Sequence, residues 1–339
     1  MKNIIPTYNN SPNFSIVTPG GCNGKCKFCF WKYQKPLEKK QYLKSLASSI
    51  ESLPPSFIQL SITGGEPTMS DYIDDILDVV SKRFTKIVLT TNGCNLLDKV
   101  DKLAYTVNHI NLSRHHTNDK TNNAIFGTSK LIPTADEIKY ISNIYNILGI
   151  DVTLNCVLPK KYYGLEKIKD MSASIRLFVL DYILMAKTAG ALAISFRKQH
   201  GDLSPHHFEK EFEKYKGAEN SCPVCRTKSQ LIDGMRVNWK CSMSEPSDTL
   251  SSSVYELIFH PNGIMTSDWA GKIKITADKE FLYTDAKVKN GNKKLKPWSC
   301  DIISNSTPSC DVLSGSAIGH CGTVPGCGTV PGCGTVPGC

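Results

Sequence analysis

The sequence predicts an α/β fold built on a parallel sheet, and two observations carry that prediction. Between residues 13 and 200, six short runs of β-branched and apolar residues recur at regular intervals. Between the runs, the pattern changes to the period of a helix. Runs rich in β-branched and apolar residues are what strands buried inside helical layers tend to show.

The elements follow in order. Phe14–Thr18 reads as the first strand and Phe57–Ile62 as the second. After Ser70, expected as an N-cap, Ile73, Ile76, Leu77 and Val80 recur at i, i+3, i+4 and i+7, with Asp71, Asp74 and Asp75 in the first turns. Lys86–Thr90 is the third strand and Val107–Leu112 the fourth. Thr134 and Glu137 have capping-box spacing. Ile138, Ile141, Tyr145 and Leu148 continue that helix face, and Gly149 ends it. Asp151–Val157 and Ala191–Phe196 complete the set. Regular alternation implies right-handed crossovers between parallel neighbours.

The pattern divides the chain into a core at 13–200, an extension at 201–299 and a tail at 300–339. The extension carries two turn signals, Asp233-Gly234 and Asn262-Gly263, each between strand-like residues, so it reads as hairpin-rich. The tail repeats Cys-Gly-Thr-Val-Pro-Gly from Cys321 and offers no apolar face to pack, so disorder is expected there.

Composition narrows the function classes. With 339 residues, 40% of them hydrophobic, the chain can bury a core. It has no apolar run of about 18 residues, so no membrane span is expected. Met1–Asn13 is polar with two prolines, unlike a secretory signal, so a cytoplasmic location is expected. The net charge of +9 suits an anionic substrate and does not by itself call for a nucleic-acid partner. Fourteen cysteines are many for such a chain, and in a reducing compartment clustered cysteines point to metal or catalysis.

Cys22, Cys26 and Cys29 lie in a glycine-containing loop straight after the first strand. Three thiolates at this spacing can take three corners of an iron–sulfur cube and leave the fourth iron open. A zinc knuckle or free thiols are the alternatives, although zinc prefers four ligands and no fourth lies nearby. Gly20, Gly21 and Gly24 would let the loop bend. After the second strand come Thr63-Gly64-Gly65-Glu66-Pro67, two glycines that open the backbone to a ligand and a carboxylate that could accept from a cationic group.

This pairing of CxxxCxxC with GGEP resembles the radical S-adenosylmethionine (SAM) enzymes. Phe28, just before the last cysteine, and Thr91-Asn92-Gly93, after the third strand, are similar to the family pattern. The resemblance implies a partial (β/α)6 barrel over the core. It implies that Cys22, Cys26 and Cys29 bind a [4Fe–4S] cluster, and that Gly64, Gly65 and Glu66 contact the SAM methionyl amine. Reductive cleavage of SAM to a 5′-deoxyadenosyl radical, which takes hydrogen from a substrate, is the implied activity. A low-potential electron donor such as flavodoxin or ferredoxin is the implied partner. Further SAM contacts are expected from Phe28, Asn92, Ser113, Arg114, Asn155 and Arg197, several of them at carboxyl ends of strands. His115 and His116 would face substrate or solvent. Cys94 and Cys156 are expected to be buried thiols.

Cys222, Cys225 and Cys241 form a second set, which the Asp233-Gly234 turn could close. It resembles the auxiliary-cluster region of twitch and SPASM radical enzymes and of the molybdenum-cofactor cyclase, and equally a zinc knuckle; a second [4Fe–4S] cluster, zinc or no metal all stay open. Cys29-Phe30-Trp31 is similar to viperin-like nucleotide-modifying members. The expected substrate is a nucleotide or another anionic small molecule. The alternatives are a peptide or protein maturase using an auxiliary cluster, and a metal-binding protein without catalysis.

Overall fold

The computed structural model describes residues 7–29, 31, 33–55, 57–128, 132–158, 171–199, 208, 212, 220–221, 227–240, 253–267, 269 and 271. The chain divides into two units, Met1–Ile303 and Ser304–Cys339, and every described residue belongs to the first. The repeat tail and Cys222, Cys225 and Cys241 lie outside the described residues.

In chain order the elements are β1 (Thr7–Thr18), α1 (Lys39–Glu51), β2 (Gln59–Gly64), α2 (Ile73–Val80), β3 (Lys86–Thr91), α3 (Val100–Ala104), β4 (His109–Ser113), α4 (Asp119–Phe126), α5 (Ala135–Ile147), β5 (Asp151–Leu158), α6 (Met171–Thr188) and β6 (Ala193–Lys198). Then follow β7 (Asn220–Ser221), β8 (Lys228–Ile232), β9 (Met235–Lys240), β10 (Ser253–Phe259) and β11 (Met265–Thr266). All the strands join one sheet in the order β11-β10-β1-β2-β3-β4-β5-β6-β9-β8-β7. Strands β1 to β6 pair in parallel, as the alternation predicts, in the partial-barrel arrangement of the expected fold.

The extension continues that sheet at both edges. β10 lies parallel to β1, and β9 lies parallel to β6. Both expected hairpins form. In β8–β9, Asp233 and Gly234 take φ of 48° and 72°, as a two-residue turn with left-handed residues demands. In β10–β11, Gly263 has φ 76°.

The two sheet faces differ sharply. Phe14, Leu60, Leu89, Ile110, Leu154 and Phe196 form one apolar cluster with the inner sides of α1, α2, α5 and α6. Alternate strand residues are polar and still buried, among them Asn13, Ser15, His109, Asn111, Thr153, Asn155 and Ser195. Burial of hydrogen-bonding groups on one face and hydrocarbon on the other follows from the period of two along each strand.

Two local expectations divide. The capping box of α5 is present: Thr134 Oγ1 accepts from Glu137 N, and Glu137 accepts from Thr134 N at 2.8 Å. Ser70, however, is not the N-cap of α2, whose cap position is Tyr72. Its hydroxyl donates to the Pro19 carbonyl at 2.5 Å, fastening the start of the cysteine loop, and accepts from Tyr72 N. A short 3-10 turn at Pro67–Met69 ends on Ser70, which is the C-cap of that turn.

Candidate metal and cofactor site

The cysteine loop leaves the carboxyl end of β1 through Gly20, whose φ of 119° requires glycine. Gly21 and Gly24 carry no such requirement, since a Cβ on either meets nothing closer than 3.5 Å. Cys22 and Cys26 are partly buried and Cys29 is exposed. Gly24 N donates to Cys22 Sγ at 3.3 Å, and Cys29 N donates to the Cys26 carbonyl at 3.0 Å. Lys25 N donates to the Phe126 carbonyl at 2.6 Å and so docks the loop on the end of α4.

Burial pushes all three thiols above the ordinary cysteine value. For Cys26 it does so to about 12, with the neighbouring Cys29 and Cys22 adding to the effect. Such a set holds its protons until a cationic group displaces them. Among the described residues no three ligating side chains close round a single ion. A cubane asks for something different: each cysteine meets a different iron, so the sulfurs stay apart. One observation fits that group directly. Asn23 Nδ2, inside the loop, is a buried donor with no partner, a cost of roughly 1–3 kcal/mol that an acceptor such as a cluster sulfur would remove.

Glu66 does something other than the sequence suggests. Its carboxylate is 2% exposed and turned inward. Oε1 accepts from Thr68 N at 3.0 Å, Thr68 Oγ1 at 2.7 Å and Thr91 Oγ1 at 2.5 Å, and Oε2 accepts from Asn92 N at 2.6 Å. Burial pushes its carboxyl up, against the pull of those donors. Glu66 is therefore a tie between the turn after β2 and the turn after β3, and its side chain is not an open acceptor for a cationic group.

The two glycines before it also serve packing first. A Cβ on Gly65 would lie 2.3 Å from the Gly21 carbonyl oxygen, and one on Gly64, at φ 144°, would lie 2.6 Å from Thr18 Oγ1. The turn must be bare because the cysteine loop presses on it; Glu66 N completes the contact by donating to Gly21 O at 3.0 Å. Asn92 closes the ring of loops, donating from Nδ2 to Asn23 Oδ1 at 2.7 Å.

At the carboxyl ends of β4 to β6 the expected residues part company. Ser113, Asn155 and Ser195 are register neighbours across β4, β5 and β6, and Asn238 of β9 continues the row. Asn238 accepts from Ser229 Oγ at 2.7 Å and donates to Ser195 Oγ at 3.3 Å. Asn155 Oδ1 is buried without a partner, as is Asn111 Oδ1.

Arg114, by contrast, is spent on its own loop. It is 1% exposed and donates to the carbonyls of His116, Thr117 and Pro133 and to Asp119 at 2.6 Å. That geometry makes it a clamp between the β4–α4 connection and the segment that precedes α5. Arg197 and Lys198 end β6 at the rim, partly exposed.

His115 is buried, not solvent-facing. Its ring meets Phe28 edge-on at 4.9 Å and Phe126 at 4.7 Å, and its Nδ1 accepts from Val157 N at 3.1 Å. Burial, with Arg114 nearby, lowers its pKa to about 3, so it stays neutral. Phe28 thereby packs on a fixed surface. His116 is partly buried and accepts from Asn118 N. Cys156 is buried as expected, whereas Cys94 is only partly so and lies 3.8 Å from Thr68 Oγ1. Asn23, Thr68 and Asn111 escaped the sequence reading, in which Thr91 figured only as part of the Thr91-Asn92-Gly93 turn; Asn23, between two motif cysteines, had the one usable signal.

The comparisons with known proteins agree with this geometry. Residues 16–166 match the family model described as the radical SAM superfamily. A Methanocaldococcus jannaschii protein named for glycyl-radical enzyme activation is 27% identical over 182 residues, covering 53% of this chain and 69% of its own. The S-adenosylmethionine-dependent nucleotide dehydratase of Flammeovirga pacifica is 31% identical, covering 47% of this chain and 56% of its own. The GTP 3′,8-cyclase of Haemophilus ducreyi is 28% identical, covering 43% and 44%. The chain thus spans about half the length of the last two. In fold, it matches SuiB of Streptococcus suis with S-adenosylmethionine bound, at TM-score 0.53 and 17% identity over 81% of this chain and 64% of that one. No helix among the described residues is long and apolar enough to cross a membrane.

Proposed function

We propose, because residues 16–166 match the radical SAM superfamily, that the chain is a radical SAM enzyme acting on a nucleotide or another anionic small molecule, with Cys22, Cys26 and Cys29 as the ligands of its [4Fe–4S] cluster. When bound, the cluster and SAM supply a 5′-deoxyadenosyl radical for hydrogen abstraction. The observation that carries the reading is the convergence of three loops. The cysteine loop, the Gly64-Gly65-Glu66 turn and the Thr91-Asn92-Gly93 turn bind one another at the carboxyl ends of β1, β2 and β3.

The chain's own residues divide the remaining work. Gly64 and Gly65, partly exposed, would offer main-chain groups to a ligand's amine and carboxylate, and Ser113, partly exposed at the end of β4, would add a hydroxyl. Phe28, on the His115 and Phe126 rings, walls the cysteine loop on one side and keeps water from it. Arg197 and Lys198 place positive charge at the rim, where it would draw a phosphate-bearing substrate. Two relatives named for nucleotide chemistry support that substrate class. The core at 13–200 is the catalytic unit in this reading, and the extension at 201–299 borders it. A low-potential protein reductant is the expected electron donor.

The test is release of 5′-deoxyadenosine from SAM by anaerobically reconstituted full-length protein with a chemical reductant. Wild type should bind about four irons, the content of a single such cluster, and release the nucleoside, faster with a nucleoside triphosphate present. Cys26→Ala should lose both iron and release. Release that survives Cys26→Ala would end the cluster assignment. A rate indifferent to every nucleotide, yet raised by a peptide, would move the substrate to the maturase class.

A further inference from the structure

The inference concerns Asn92, and it rests on the reading of Cys22, Cys26 and Cys29 as cluster ligands. The resemblance makes Asn92 a SAM contact, but its polar atoms are already engaged. Its backbone N donates to Glu66 Oε2 at 2.6 Å. Its Oδ1 accepts from Cys94 N at 3.1 Å. Its Nδ2 donates to Asn23 Oδ1 at 2.7 Å and faces Cys22 Sγ at 3.9 Å. The two amide hydrogens thus have two acceptors. The orientation is settled by the partners: a flipped amide would set oxygen against oxygen at Asn23 and nitrogen against the Cys94 N–H.

Cys22 consequently receives N–H groups from two sides, Gly24 N at 3.3 Å and Asn92 Nδ2. Cys26 Sγ instead lies 4.0 Å from the Phe126 carbonyl oxygen, which is an acceptor. Donors to a ligating sulfur favour the more electron-rich state of a cluster and so raise its potential. Asn92 is 5% exposed, which makes the local dielectric low and these bonds strong.

We propose that Asn92 is a positioning residue for the cluster: it holds the cysteine loop through Asn23 and hydrogen-bonds the Cys22 sulfur, thereby setting cluster retention and reduction potential. Glu66 acts through it, by fixing the Asn92 backbone. The ligand at issue is the cluster sulfur, not the amino acid end of SAM.

The test uses the reconstituted full chain and two readouts that do not depend on turnover: a reductive titration followed by electron paramagnetic resonance, and iron release to a chelator. Asn92→Ala removes the donor, while Asn92→Asp keeps the shape and points an anion at Cys22. Midpoint potential should fall in the order wild type, Asn92→Ala, Asn92→Asp. Iron release should quicken by about tenfold, the lower end of what losing a supporting partner costs a metal site. Glu66→Gln, which retains an acceptor for Asn92 N, should shift the potential less than either.

A potential unchanged in both Asn92 variants overturns the proposal, as does a shift in Asn92→Ala that equals or exceeds the one in Asn92→Asp, since a merely structural role gives that pattern. If Asn92→Ala retains no iron, the holding role stands, and Asn92→Ser, with its shorter donor, is titrated in its place. Wild-type protein that takes up no cluster defeats the ligand assignment itself, and this inference with it. Normal wild-type uptake with indifferent variants defeats the inference alone.

Discussion

The carboxyl edge of the sheet has two halves that are built on opposite plans. Around β1 to β3, the polar groups of the turns are satisfied within the protein, Asn23 Nδ2 excepted: Glu66 accepts four hydrogen bonds, and both side-chain ends of Asn92 are engaged. Around β4 and β5, the protein leaves buried acceptors on Asn111 and Asn155 without partners. Arg114, at the end of β4, is turned back on the connection that follows it. A site that must hold a preformed group in fixed geometry gains from a scaffold that is rigid before the group arrives. A site that must exchange ligands gains from polar groups left unspent, at a cost in stability.

The comparison can be broken, first, at Glu66. Glu66→Ala strands two backbone N–H groups and two hydroxyls in a buried place, so the apo protein should lose roughly 2–4 kcal/mol. Urea unfolding of the apo form measures it, and a loss under about 1 kcal/mol would show that the β1–β3 half is not self-braced.

His115 sharpens the boundary between the halves, since it touches both Phe28 and Val157. Its folded pKa, about 3, is below the unfolded value near 6.5. The unfolded chain therefore binds the extra proton as pH falls through 6.5. The stability held by the neutral ring is complete above that pH and drains away below it, by about 1.3 kcal/mol between pH 7 and 5.5. His115→Asn removes that pH dependence, so its unfolding midpoint should fall less over the same interval than that of wild type. Parallel pH profiles would place the histidine elsewhere.

The smallest effect is expected on the unspent half. Asn155→Ala deletes an acceptor that has no partner, so stability should stay within about 1 kcal/mol of wild type, or rise. Ligand affinity should fall all the same, read by equilibrium dialysis of SAM and of a nucleoside triphosphate. A loss of stability beyond about 2 kcal/mol would mean that Asn155 is bonded after all, and the contrast between halves would go.

Much of the fold could be read in advance because its causes are local. Strands β1 to β6 follow from β-branched runs, the capping box at Thr134 and Glu137 lies within one turn, and the Asp233-Gly234 hairpin needs two residues able to take positive φ. The structure added most where a residue had two options and a partner chose between them. Ser70 could cap a helix, yet Pro19 takes its hydroxyl. Glu66 could face a ligand, yet Thr91 and Asn92, from the next loop, supply donors that a solvent-facing carboxylate would not need. Arg114 could reach a carboxylate of a cofactor, and here it bonds the His116 and Thr117 carbonyls and Asp119 of the β4–α4 segment and the Pro133 carbonyl beyond α4.

What the sequence determined by itself is the chemistry available and its neighbourhood: three thiols in a short loop at a strand end, glycine-rich turns after the next two strands, and a parallel sheet to bring those ends together. Spacing along the chain suffices for that, because loop closure and strand period act over a few residues. Only the tertiary structure decided which polar atoms are spent and which are spare. Hydrogen-bond partners such as Glu66 and Asn92, or Asn238 and Ser195, lie dozens of residues apart and meet only through the register of neighbouring strands and the loops that close over their ends.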